Sequence, residues 1–333
     1  MARPTVRAIA AEAGVSIATV SRVLTGKAKV APETQELVHQ AVERLGAPTN
    51  RPVREGAVFV RCPYTLVDYF GVIVSSIAET LDLHNRRLVL NAGEAAQHAP
   101  ALGSLANDPA IAGAILILPP EPEEELRTLR RQGFPFVVVD PRTPLPADVA
   151  AVSAAHTAGA RTVTAHLTAL GHRVIGVVGG PTEWLSSQAR LVGHTSALAD
   201  IGVLPQPELV RNVEPTTDQG YHAAIELLDH RPTALVCFND KTAVGALRAA
   251  HERGLRVPEG LSITGFDDSD ISRSTSPPLT TVRQPLEEMG RLAVSLLVRL
   301  MERHTVDTLH IELATHLVVR RSTGDVPADS RLR

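Results

Sequence analysis

Two hydrophobic periodicities divide the 333-residue chain. Up to about residue 45, apolar positions recur three and four apart, the spacing of helices that bury one stripe. Ile9, Ala10 and Ala13 mark a first helix over Val6–Ala13. Gly14 can enter the left-handed conformation that ends a helix without a Cβ clash. Ser16 then offers an N-cap oxygen to a second helix, in which Val20, Val23 and Leu24 face inward. Ile17, Ala18, Ser21 and Arg22 share its opposite face. Pro32 opens a third helix with Leu37, Val38, Ala41, Val42 and Leu45 as its buried stripe, and Gly46 stops it. A core built from about 45 residues is marginal alone.

From about residue 57 the pattern changes. Short apolar runs at 57–61, 87–91, 112–118, 134–140 and 150–153 alternate with helical stretches. A second set follows at 174–179, 208–213, 234–238 and 261–266, separated by amphipathic helices over 157–170, 184–200, 218–230 and 240–253. Strand and helix alternating in this way predict right-handed crossovers and doubly wound, mostly parallel sheets, and two sets predict two lobes. A strand at 280–283, a helix over 286–302 and a strand over 310–320 complete the pattern.

Charge follows the same division. The formal net charge is −3, but residues 1–60 carry +3 and the remainder −6, a basic head on an acidic body. Cys62 and Cys237 are the two cysteines and lie far apart, which argues against a disulfide framework or a zinc site. No stretch approaches 18 apolar residues and the N-terminus lacks an apolar leader, so the expected location is the cytoplasm, with no membrane partner. Three lysines against thirty arginines suggest a bacterium with a GC-rich genome.

The outer face of the second helix suits the major groove of DNA. An arginine fork such as Arg22 can take both major-groove acceptors of a guanine, or serve in a surface ion pair. Ile17 and Ala18 cannot bond a base edge but can meet thymine methyls. Thr5, Ser16, Thr19, Ser21 and Thr34 carry small hydroxyls suited either to phosphate oxygens or to capping.

In open α/β sheets, ligands bind beyond the carboxyl ends of the strands. The polar residues in that position are Asp140, Asn239-Asp240 and Asp267-Asp268, with Arg190 on the helix that follows Gly179-Gly180. Together they offer the acceptors, amide and guanidinium that a polyol's hydroxyls need. Asp240 reads as the cap of its helix. Only ten aromatic residues exist, yet Tyr69, Phe70, Trp184, Phe238 and Phe266 fall in or beside these segments. Phe238 and Phe266 fit either a pocket wall or a strand-ending core position. No dinucleotide fingerprint, phosphate loop, nucleophile elbow or metal-ligand cluster is present, so the reading is of a binding protein without catalytic residues, cofactor or metal.

The segment AAEAGVSIATVSRVL (residues 10–24) resembles the start of the lac repressor family of bacterial regulators. VCFNDKTAVG (236–245), ITGFDD (263–268), PPLTTVRQ (277–284) and Arg190 in ARLVG (189–193) look like motifs of the same family, and the resemblance runs from residue 3 to about 322. It implies an N-terminal all-α helix-turn-helix DNA-binding domain over 1–49, a hinge over 50–60, and an α/β body over 61–322 like the type I periplasmic binding proteins. The body would consist of two doubly wound parallel-sheet lobes, 61–155 with 283–308 and 156–282 with 309–322, and residues 323–333 would form a disordered tail. The resemblance further implies base reading by residues 17, 18, 22 and Lys29, phosphate contacts from the hydroxyls, a ligand-gripping Arg190, and hydroxyl contacts from Asn239 and Asp267.

Two departures stand out. The family's hinge helix, whose leucine wedges into the minor groove, falls here on Asn50-Arg-Pro-Val-Arg-Glu-Gly56. Gly56 takes the leucine position and Val53 the alanine position, so a short or absent hinge helix and a small DNA bend are expected, with Asn50 and Val53 the hinge residues nearest DNA. The family's Asn-Pro-Phe-Phe reads Val67-Asp-Tyr-Phe70, placing the Asp68 carboxylate where an amide is usual. The expected protein is a homodimer on a near-palindromic operator. It is expected to be a repressor, or alternatively an activator, governed by a carbohydrate or by a purine or other small polar molecule.

Overall fold

A computed structural model describes residues 5–25, 30–45, 56–93, 96, 102–304, 306 and 308–326. The chain divides into two compact units, residues 1–54 and 55–333.

The first unit is three helices: α1 (Val6–Ala13), α2 (Ile17–Thr25) and α3 (Pro32–Arg44). The Thr5 hydroxyl accepts from the Ala8 amide to cap α1, and Gly14 ends it at φ 67°. The Ser16 hydroxyl accepts from the Thr19 amide at 3.0 Å and so caps α2. Ile9, Ala10, Ala13, Val20, Val23, Val38, Ala41 and Val42 form the core. Leu37, expected inside, is 49% exposed. It precedes Val38, which takes the inward position, and adjacent helical residues point about 100° apart.

The second unit holds two doubly wound lobes. Lobe 1 is a six-stranded, wholly parallel sheet in the order β11-β5-β4-β3-β1-β2. Its strands are β1 (Ala57–Cys62), β2 (Leu88–Ala92), β3 (Ile111–Ile117), β4 (Phe136–Val139), β5 (Ala150–Ala154) and β11 (His310–Leu313). Alternation decides the layers. Val58, Val60 and Cys62 face α4 (Asp68–Leu83) and α12 (Leu286–Met301). Phe59 packs on the opposite side, with α5 (Leu102–Leu105) and α6 (Glu123–Arg131).

Lobe 2 has a parallel sheet in the order β7-β6-β8-β9 and an antiparallel pair, β10-β12. These strands are β6 (Ile175–Gly179), β7 (Val210–Asn212), β8 (Ala234–Cys237), β9 (Ser262–Thr264), β10 (Thr281–Arg283) and β12 (His316–Val318). On β8, Ala234 and Val236 face α7 (His156–Ala169) and α8 (Leu185–Ala199). Leu235 and Cys237 face α9 (Thr217–Leu228) and α10 (Asp240–Glu252). A short α11 (Asp270–Ser274) follows β9.

Three expectations change. The single strand expected over 310–320 is two strands in different lobes: β11 pairs with β5 of lobe 1, and β12 with β10 of lobe 2. The third crossing therefore falls between Leu313 and His316, not near 308, because the edge of β5 is open to β11 and satisfies its backbone groups. The strand expected over 208–213 begins as a 3-10 turn (Pro207–Leu209), leaving only Val210–Asn212 extended. The tail boundary at 323 is also too early. The Gly324 amide donates to Ser262 Oγ at 3.1 Å, the Val326 amide donates to the Leu170 carbonyl at 2.9 Å, and Val326 is buried. Residues 327–333 lie outside the described residues.

Candidate functional site

In the head, Ile17, Ala18, Ser21 and Arg22 are all exposed, and they share one face of α2. Arg22 Nε donates to the Ala18 carbonyl at 3.2 Å, which lays the guanidinium along the helix. The hydroxyls of Ser16 and Thr19 bond each other at 2.8 Å. Thr34 is half-buried in the first turn of α3. Lys29, Asn50 and Val53 lie outside the described residues. Gly56 leads into β1 at φ 153°, and a Cβ there would stand 2.5 Å from the Ala110 carbonyl oxygen. No side chain, leucine included, fits that position.

In the body, the carboxyl ends of β4, β6, β8 and β9 bring Asp140, Arg190, Phe238 and Asp267 to the junction of the lobes. Asp140 is 4% exposed, with its backbone at φ 52°. Its Oδ2 accepts from the Tyr69 hydroxyl at 2.6 Å, and its Oδ1 stands 2.7 Å from His156 Nε2. The other ring nitrogen, His156 Nδ1, lies 3.3 Å from Arg190 Nη2. Arginine can only donate, so Nδ1 is the acceptor and Nε2 carries the proton given to Asp140. The tautomer of His156 follows from its two neighbours.

Arg190 is gripped from several sides. It donates to the Phe238 carbonyl, and its guanidinium lies 3.7 Å from the ring centroid of Phe266 and 4.4 Å from that of Phe238. Phe266 is thus both a core residue of lobe 2 and a wall of the junction. Gln284 donates from Nε2 to Asp267 at 2.7 Å.

The electrostatics follow from burial and pairing. Burial opposes the charge on Asp140, but His156, Tyr69 and Arg190 together hold its carboxyl below the ordinary range. Burial and then the Asp140 charge push the Tyr69 hydroxyl well up. Burial pushes the Asp267 carboxyl up to about 8, against the pull of Arg190. Burial lowers the pKa of Arg190, opposed first by Asp267 and then by Asp140.

Around this polar centre stands an aromatic wall drawn from both lobes. Tyr64 and Phe70 of lobe 1 stack at 4.5 Å with rings 6° apart. Trp184 of lobe 2 meets Tyr64 edge-on at 6.3 Å and Phe238 at 6.1 Å. Trp184 is 6% exposed, and Arg142 lies 5.2 Å over its ring. Four buried polar atoms at this junction have no hydrogen-bond partner among the described residues: Trp184 Nε1, Ser187 Oγ, Arg190 Nε and Gln284 Oε1. Two can only donate, one can only accept, and the hydroxyl does both. Leaving such groups unsatisfied costs stability, and a group that both donates and accepts can satisfy all four. Arg190, Phe238, Phe266 and Ser187 also border a void of about 30 Å³.

Two expected site residues stand differently. Asn239, not Asp240, caps α10: its Oδ1 accepts from the Thr242 amide at 2.9 Å in a capping box. The cap falls one residue earlier because Asn239 has the extended backbone and Asp240 is already helical. Asp240 instead accepts from the Ser269 amide at 2.8 Å and from the Thr281 hydroxyl at 2.6 Å, fastening the β9–α11 loop. Asp68 is at the rim, where it pairs across the lobes with Lys241 at 3.1 Å. Sequence reasoning missed His156, Tyr64, Ser187 and Gln284. Only His156 and Gln284 carried a signal, since both lie beside expected crossings between the lobes.

The chain matches the family model for bacterial regulatory proteins of the lacI family over residues 5–50, and that for the periplasmic binding protein-like domain over residues 164–323. The HTH-type transcriptional regulator CelR of Thermobifida fusca is 32% identical over 96% of this chain and 98% of its own. A solved CelR–cellobiose complex superposes with a TM-score of 0.75 at 32% identity, covering 96% of this chain and all of that one. The lac repressor dimer bound to operator and the anti-inducer ONPF gives a TM-score of 0.70 at 27% identity, over 97% of this chain and all of that one. With a helix-turn-helix head, a two-lobed body and similarity along nearly its whole length, this chain belongs to the lacI family of bacterial regulatory proteins and is a DNA-binding transcriptional regulator.

Proposed function

We propose that the protein is a repressor whose hold on a near-palindromic operator is set by a carbohydrate bound between the lobes of its body. The observation that carries the ligand class is the quartet of unpartnered buried polar atoms on Trp184, Ser187, Arg190 and Gln284, set against aromatic faces. Mixed donors and acceptors beside aromatic rings suit a sugar, whose C–H face packs on a ring while its hydroxyls take both kinds of bond. The CelR–cellobiose complex, a relative with a sugar bound, supports the same class. Asp140, Tyr69, Phe70, Phe238, Asn239, Asp267 and Asp68 complete the effector site in this reading.

The protein acts as a homodimer in the bacterial cytoplasm, where its DNA is. Two α2 helices read two half-sites. Arg22, Lys29, Ile17 and Ala18 select bases, and Thr5, Ser16, Thr19, Ser21 and Thr34 hold phosphates. Asn50 and Val53 approach the minor groove with little bending. Sugar binding must favour one arrangement of the dimer over the other, because a ligand with equal affinity for both switches nothing. Moving the population from 1:99 to 99:1 takes about 5.5 kcal/mol of differential binding.

The test is footprinting of the full chain on DNA upstream of its own and neighbouring genes, with and without cellobiose, other sugars and purines. Trp184 is the only tryptophan, so its fluorescence reports cleft binding directly. A protected palindrome released by a sugar is expected. In Arg190→Ala the footprint should persist, with at least a hundredfold more sugar needed for release. Release by a purine alone would overturn the sugar class, and normal release of Arg190→Ala would overturn the site.

A further inference from the structure

We propose that lobe 2 carries a second small-molecule site, for an uncharged ring compound that is mostly apolar and bears one hydroxyl, in the cavity between α8 and the β6–β7 edge of the sheet. This proposal is independent of what occupies the cleft.

The cavity has a volume of about 370 Å³, within the range of ligand pockets. It exists because the sheet ends there on a strand of only three residues, β7, while α8 runs for fifteen. The helix overhangs the edge, and the segment at residues 203–207 closes the space from outside. Ile175 and Val177 on β6, Leu191 and Leu198 on α8, and Leu209 make the walls. Leu204 stands at the mouth and is 81% exposed.

Arg173, Thr195, Gln206 and Asn212 line the cavity from exposed or half-buried positions, and one polar side chain lines it from a buried position. His194 lines the cavity and is only 4% exposed. Its Nδ1 is bonded to the Thr164 hydroxyl at 3.1 Å. Its Nε2 has no hydrogen-bond partner among the described residues. Burial lowers the pKa of His194 to about 4, so the imidazole is neutral at physiological pH. Arg173 lines the cavity from an exposed position and gives its Nη1 to the carbonyls of Thr168 and His172. A charge carried inward to His194 and the aliphatic walls would leave water without a compensating partner. A polyol would strand its hydroxyls against Ile175, Val177 and Leu198. A ring with one hydroxyl covers the aliphatic walls and can meet the open imidazole nitrogen as donor or as acceptor.

Phenol is the probe and toluene its control, both titrated calorimetrically into the full-length protein. Saturable one-to-one binding is expected, with phenol about three- to tenfold tighter than toluene, the worth of one net hydrogen bond. His194→Leu should make the two equal. Val203→Phe, on the closing segment, should abolish phenol binding while the operator footprint and the Trp184 response to sugar stay unchanged. Leu204→Trp, at the mouth, blocks the same space without touching the core should Val203→Phe fail to fold. No saturable binding of either compound to the wild type would overturn the proposal. Undiminished phenol binding in the folded blocked variant would do the same, because it would put phenol elsewhere.

Discussion

The two lobes share a topological class but hold themselves together differently. In lobe 1 the helices are kept off the sheet by branched aliphatic side chains, with Ile73, Ile77 and Leu81 of α4 and Val294 and Leu297 of α12 packed on Val58, Val60, Ile115 and Val137. In lobe 2 the helix pairs touch backbone to backbone, more closely than α4 and α12 of lobe 1, where a Cβ at Gly290 would stand 3.0 Å from the Ile73 carbonyl oxygen. A Cβ at Gly193 of α8 would stand 2.2 Å from the Thr157 carbonyl oxygen, and one at Gly245 of α10 would stand 2.1 Å from that of Thr217. Backbones in contact cannot slide, whereas side chains can repack. The cleft divides along the same line. Lobe 2 contributes Arg190, His156, Asp267 and Gln284, while lobe 1 contributes Asp140 and the rings of Tyr64, Tyr69 and Phe70. Directional contacts thus come mainly from the lobe whose helices are locked, while the aromatic surface is shared, with Trp184, Phe238 and Phe266 on the side of lobe 2.

The strongest way to break this comparison is to add a single methyl at a locked contact. Gly245→Ala should drive α9 and α10 apart and cost on the order of 3 kcal/mol, read from urea unfolding. Ile115→Val in lobe 1 should cost about 1 kcal/mol. Equal losses would mean that the lobes are equally pliant.

A smaller effect tests the charge balance. The folded state keeps the Asp267 carboxyl protonated up to about pH 8, while the unfolded chain releases that proton near pH 4. The group therefore weakens stability progressively as pH rises through that window. Asparagine cannot titrate, so the Tm advantage of Asp267→Asn over wild type should grow between pH 5 and pH 8. Its sugar response should weaken only above about pH 8, where the wild-type carboxylate accepts through both oxygens and the amide through one. A Tm difference that is flat with pH would show Asp267 to be ionised throughout.

The smallest effect belongs to the rim. Asp68 and Lys241 are about one-third exposed, so their ion pair is screened by solvent. Lys241→Met should change stability by less than about 1 kcal/mol, but it removes a charge pair that joins the lobes. Sugar affinity measured by Trp184 fluorescence should shift no more than a few-fold. A tenfold or larger shift would make this pair, and not the aromatic wall, the main restraint on closure.

Much of the fold was legible because it is local. Gly14 and Ser16 announce the turn of the head, and the switch of hydrophobic period near residue 57 marks the start of the sheets. Leu37 was misplaced because the apolar run Leu37-Val38 offers two candidates for one inward position. The strand ends supplied Asp140 and Asp267, since an acidic residue just past an apolar run sits where the crevice forms. His156 and Gln284 were harder, because their partners are 16 and 17 residues away and depend on where the chain changes lobe. Tyr64 becomes a wall only by stacking on Phe70 and meeting Trp184, contacts made by closure of the body. The pairing of β11 with β5 spans more than 150 residues, and no local pattern states it.

The three passages of the chain between lobes also set an order for its birth. Lobe 1 begins at β1 but needs α12 and β11, so its sheet cannot close until residue 313 has left the ribosome. Lobe 2 waits for β12 and for the strap ending at Val326. At about 5–20 residues per second, the helical head is free to fold while most of the body is still unmade. A nascent chain can therefore own a complete reading helix well before it owns the cleft in which the proposed effector would bind.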